Sequence, residues 1–225
     1  MEEFKDIEHD IDSCMDVWEG LYKQVYPKFF GTYFDFSKIE DKETSSKCKR
    51  WYIKLRGDLD ISHKYPKFKM AGDCIFNFNN KKIKIFNEWT DGSSEGKRLL
   101  VECAQKHHSF QNFAFMPITG GMNNQKGRQV LDRSDIHVNE LQRYFTGEKS
   151  KILSNARGNK EALKWYLSIF ENDIYKYFSR VYLIEDREFI NKEFLPFANI
   201  VIRDENSAIQ YMRLALKFWS KRNIC

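Results

Sequence analysis

From Asn112 to Arg143 the chain reads NFAFMPITGGMNNQKGRQVLDRSDIHVNELQR, and this passage constrains the fold more than any other. An aromatic and apolar run stops at Pro117, which cannot continue a strand ladder. Gly120 and Gly121 then permit positive φ. A polar tract follows, carrying Asn123, Asn124, Lys126 and Arg128. Beyond it Ser134 can cap a helix that turns Ile136, Val138, Leu141 and Phe145 inward and closes at Gly147. The chain must therefore accommodate a strand, an exposed loop and a helix in succession.

The flanking periodicities place the other elements. Residues 4–22 space Phe4, Ile7, Ile11, Cys14, Trp18 and Tyr22 as the apolar stripe of an amphipathic helix with an acidic outer face. Residues 26–36 are aromatic and broken by Pro27 and Gly31, which predicts extended chain laid on the core. A helix is expected over 47–55, with Cys48, Trp51, Tyr52 and Leu55 inward and Lys47, Arg50 and Lys54 sharing a basic side; residues up to about 72 read as loop. CIFNF and KIKIF alternate apolar and polar residues around Asn79-Asn80-Lys81, which predicts a hairpin over 73–89. A third strand is expected over 112–116. Helices are expected near 94–107, 160–181 and 207–222, with a short strand at 198–202. The whole reads as an α+β, mostly helical single domain over residues 1–225, its small antiparallel sheet built on the 73–89 hairpin.

Composition narrows the chemistry. The 225 residues include 19 Phe and 11 Tyr, so the core is expected to be built from rings more than from aliphatic chains. Five scattered cysteines with no CxxC pair form neither a disulfide framework nor a zinc pattern. No apolar run approaches the length of a membrane span and the acidic N-terminus is no signal peptide, so a cytoplasmic protein without a membrane partner is expected. Formal net charge is +5, yet residues 1–46 hold 5 Lys/Arg against 12 Asp/Glu. A basic body behind an acidic N-terminal helix suits phosphates on one side and a protein partner on the other.

Within the central passage, residues 117–133 are the candidate ligand-binding loop. Asn123 and Asn124 bring amide donors and acceptors, Lys126 and Arg128 bring charge, and Gly127 between them lets a backbone N–H face outward. Such a loop suits a nucleotide or a nucleic-acid backbone, although a purely structural turn explains the same residues. Arg133 opens the following helix, where the helix dipole disfavours a cation, so either a ligand or a buried carboxylate must hold it. No phosphate-loop signature, catalytic triad or cofactor motif is present.

Two resemblances follow from short motifs. The order Phe34/Phe36, Arg50–Tyr52, Phe115–Pro117, Asn123–Gly127, Asp132–Asp135 and Tyr144–Gly147 resembles a bacterial family of unknown function, and a bacterial protein carried on a phage or mobile element is the expectation for this chain. That likeness implies a one-domain intracellular protein and adds no catalytic residue. Separately, HHSFQNFAFMPITGGMNNQKG is similar to the C-terminal half of HNH nucleases. It implies His107 or His108 as the water-polarising group and Asn123 or Asn124 beside a divalent metal. The segment departs from that family in lacking a DH pair and a second His near Asn123.

Overall fold

The computed structural model describes residues 17–42, 50–70, 73–119, 133–155 and 160–224. A π-helical turn at Trp18–Tyr22 leads into α1 (Lys23–Val25) and α2 (Pro27–Phe30). The π-helical turn is the described end of the helix expected over 4–22, whose residues 4–16 lie outside the described residues. Within 26–36, expected as extended chain, Pro27–Phe30 is instead a helical turn that opens on its proline. Antiparallel strands β1 (Phe34–Lys42), β2 (Arg50–Leu55) and β3 (Lys67–Met70) then form a sheet in the order β1-β2-β3. A short β4 (Asp73–Cys74) follows, and then α3 (Asn80–Trp89) and α4 (Ser94–His107). After β5 (Phe113–Ala114) come α5 (Ser134–Phe145), α6 (Ile152–Asn155), α7 (Lys160–Ser168), α8 (Ile174–Tyr177), α9 (Arg187–Phe189), α10 (Leu195–Phe197) and α11 (Glu205–Lys221). The class is α+β and mostly helical, as expected.

The sheet, however, is not where the hairpin pattern puts it. Only Asp73–Cys74 of residues 73–89 is strand, and it pairs with Phe113–Ala114. Lys81–Phe86 is helix. Asn79 is its N-cap, accepting from the Lys82 backbone N–H at 3.1 Å, and Phe86 is buried one turn beyond Ile83. The apparent alternation of Ile83 and Ile85 is outweighed by the cap and by the Ile83–Phe86 spacing, which suits a helix face. The reverse error occurs at 50–55. There the helix expected over 47–55 gives way to β2, with Ile53 and Leu55 buried and Tyr52 and Lys54 turned outward.

Strand β3 and β4 behave as one interrupted strand. Met70 bridges Pro117, Asp73 pairs with Ala114 and Cys74 with Phe113, all in one register. Ile118 N–H donates to the Lys69 carbonyl at 2.8 Å and Ile75 N–H to the Asn112 carbonyl at 2.7 Å, in the same register. Residues 112–118 therefore edge the three-stranded sheet, and the strand expected over 112–116 is present in this form.

Rings fill the space beneath. Phe115 packs against Tyr22, Tyr26, Phe30, Phe34 and Phe36 with centroids 4.9–5.5 Å apart. Buried tyrosines find backbone acceptors, as they must: Tyr22 donates to the Ala114 carbonyl, Tyr166 to Phe115 at 2.9 Å and Tyr26 to Val181 at 2.8 Å. The helix expected over 160–181 is split by Glu171 and Asn172, at φ 54° and 57°, before Asp173 caps α8. Left-handed backbone stops a helix, and Asn tolerates it better than most residues. No strand forms at 198–202. The last helix begins with an Asp204–Ser207 capping box.

Candidate functional site

The described residues that best suit a ligand lie on the outward face of the sheet. In β3 the pattern Lys67-Phe68-Lys69-Met70 alternates, with Phe68 and Met70 fully buried and both lysines outward and partly exposed. Tyr52 of β2 stands opposite Lys69, and Lys54 stands opposite Lys67. The Lys67 ammonium lies 5.0 Å from the centroid of the Tyr52 ring. On β1, Asp35 faces Lys54, and its Oδ1 accepts from the Ser37 backbone N–H and hydroxyl. Among the described side chains, three cations, one aromatic ring and one carboxylate thus share one surface, and the register sets Glu40 of β1 opposite Tyr52.

This surface adjoins the candidate loop. Thr119, the last described residue before it, accepts from the Lys69 backbone N–H through Oγ1 at 2.8 Å. The chain returns at Arg133 and Ser134, and the Ser134 hydroxyl donates to the Ile75 carbonyl. Asn123, Asn124, Lys126, Gly127 and Arg128 lie outside the described residues. β2 brings Tyr52 within one strand of Thr119.

Arg133 is fully engaged inside the protein. It is 3% exposed, and its Nε and Nη2 donate to the Asp135 carboxylate at 2.5–3.1 Å. Nη1 donates to the Ile200 carbonyl at 3.0 Å and Nη2 also to Phe197 at 3.2 Å, while the guanidinium lies over the Phe197 and Tyr211 rings. Of the two holders expected for this cation, the geometry provides the buried carboxylate.

His107 and His108 end α4 with their rings 4.4 Å apart. His107 is buried, its Nδ1 within 3.4 Å of the Phe78 N–H, 3.3 Å of the Phe76 carbonyl and 3.1 Å of Asn112 Nδ2. Asn112 itself is a hub. Its Oδ1 accepts from Phe76 N–H and Trp219 Nε1, and its Nδ2 donates to the Phe76 and His107 carbonyls, all at 2.8–3.0 Å. Whether Asn123 or Asn124 approaches these histidines falls outside the described residues. No group of three or more His, Cys, Asp or Glu among the described residues could hold a metal ion.

A cleft of ≈ 390 Å³ lies elsewhere, lined in part by Asp173, Tyr175, Lys176, Glu185 and Arg187. Its cations are already held, Lys176 by Glu171 at 2.5 Å and Arg187 over the Tyr175 ring at 4.6 Å. Its mixed charge favours no single ligand class.

The sequence reading missed Lys67 and Lys69, which fall in a stretch taken as loop. The signal was present as the four-residue alternation KFKM, too short to stand out beside the longer false one at 73–89. Comparison with protein-family models, with curated proteins and with solved structures found no match to this chain. Among the described residues no helix is long and apolar enough to cross a membrane.

Proposed function

We propose that the protein binds a phosphate-bearing ligand, nucleic acid foremost, through the 117–133 loop and the basic sheet face at its root. One observation carries the reading: Lys67 and Lys69 stand outward beside Tyr52, on the strand whose Lys69 N–H is fastened to Thr119. Among the described side chains the face carries Lys54, Lys67 and Lys69 against the single carboxylate of Asp35, and the release of counterions from a polyanion laid across it favours binding. Lys126 and Arg128 would extend the same positive field along the loop.

Retention on heparin tests the proposal. The wild-type protein should elute later than both a Lys67→Ala/Lys69→Ala variant and a Lys126→Ala/Arg128→Ala variant, and retention should fall as salt rises. Equal elution of all three proteins would remove both the face and the loop from consideration.

A further inference from the structure

The patch contains more than charge. A surface that only had to attract phosphates would need no ring. Tyr52 is partly buried, so its ring is held in place, and an organised ring stacks with little loss of freedom. Its neighbours are cations on two sides: Lys54 two residues along its own strand, and Lys67 and Lys69 across on β3. Alternate residues of a strand stand about 7 Å apart, a spacing comparable with that of successive phosphates along an extended single strand. The 117–119 segment continues the sheet past β3, so the surface runs on from Lys69 to Thr119.

A duplex offers this patch only its phosphates, because its base faces are stacked within it. A single strand offers both phosphates and bare base faces, and every base can stack whatever the sequence. We infer that the outward face of the β2–β3 pair is a stacking platform for single-stranded nucleic acid, with a base on Tyr52 and the flanking phosphates on Lys54, Lys67 and Lys69. This inference rests on the nucleic-acid reading above and adds the strandedness and the aromatic contact. On the β1 side the register sets two acidic residues against the patch, Asp35 opposite Lys54 and Glu40 opposite Tyr52, which directs the strand along β2 and β3 toward Thr119.

Fluorescence anisotropy with a labelled oligothymidylate, the matching oligouridylate, an abasic strand of equal length and a duplex of equal length provides the test. The wild-type protein should bind at least one of the two base-bearing strands about tenfold or more tighter than the duplex. Tyr52→Leu should weaken that binding by about 5- to 100-fold, as loss of one base–aromatic stack does, while Tyr52→Phe keeps it. The abasic strand retains every phosphate and should bind about as poorly as the base-bearing strand binds to Tyr52→Leu, a comparison that needs no folded variant. Equal affinity for base-bearing and abasic strands, or for single strand and duplex, would overturn the stacking platform. If those affinities still fell in Lys67→Gln/Lys69→Gln, the phosphate-binding proposal would survive it. Absence of binding to all four probes would remove both.

Discussion

Arg133 and Asp135, two residues apart at the start of α5, form a bidentate ion pair sealed from solvent, at 3% and 0% side-chain exposure. The pair ties the return of the central loop to the carbonyls of Phe197 and Ile200, far along the chain. All three guanidinium nitrogens of Arg133 donate within the protein.

Removing one partner should therefore act on stability. Asp135→Ala leaves a buried cation without its carboxylate and should cost about 3–5 kcal/mol, read from urea unfolding. A loss well under 1 kcal/mol would show that water reaches Arg133. Replacing both residues with apolar ones of similar volume should recover much of the loss.

The Asn112 hub should be equally sensitive. Asn112→Ala strands the Trp219 indole N–H and the Phe76 N–H in the core, and each orphaned group costs about 1–3 kcal/mol. Chemical denaturation should show a loss at the upper end of single-substitution effects. A near-neutral result would mean the network is replaced by solvent.

Acid should loosen the last helix. The Ser207 hydroxyl, followed by the Ser207 backbone N–H, holds the Asp204 carboxyl below its ordinary pKa. A depressed folded pKa contributes stability that is present above the unfolded value, about pH 4, and is lost as pH falls through the folded one. Asp204→Asn keeps a competent cap without the charge, so its melting temperature should match the wild type near neutrality and decline less on acidification. Parallel declines below pH 4 would exclude this contribution.

Cys103 should be chemically silent in the native protein. Burial raises its thiol pKa well above the ordinary value, and Sγ lies 3.7 Å from the Met212 carbonyl. The thiolate is the reactive form, so brief iodoacetamide labelling followed by peptide mapping should modify Cys74, which is partly exposed, in preference to Cys103. Equal labelling would indicate frequent opening of the α4–α11 contact.

The legible parts of this fold were those with long periodicity or a clear stop. The 94–107 and 134–145 helices were readable because four or more apolar residues share a face in each. The boundary at Gly147 was readable because its φ of 77° suits glycine. Short segments misled. Residues 81–86 contain both an alternation and a helical spacing, and only the Asn79 cap and burial of Phe86 decide between them. Tertiary context likewise pulled Arg50–Leu55 into a strand by placing it between β1 and β3. For the site, Tyr52 is expected inward on a helix, and the β2–β3 register instead turns it outward opposite Lys69. Lys67 and Lys69 carry only the four-residue KFKM alternation in the sequence, and their significance arises only when β2 is beside them.

The most direct test of the account is the salt dependence of single-stranded oligonucleotide affinity for the wild type and for Lys67→Ala/Lys69→Ala. Each phosphate contact contributes about −0.7 to the slope of log K against log salt on a single strand. The account predicts a steep wild-type slope that becomes shallower by about 1.4 in the variant, with weaker binding at low salt. Identical slopes in the two proteins, or no measurable affinity at low salt, would contradict it.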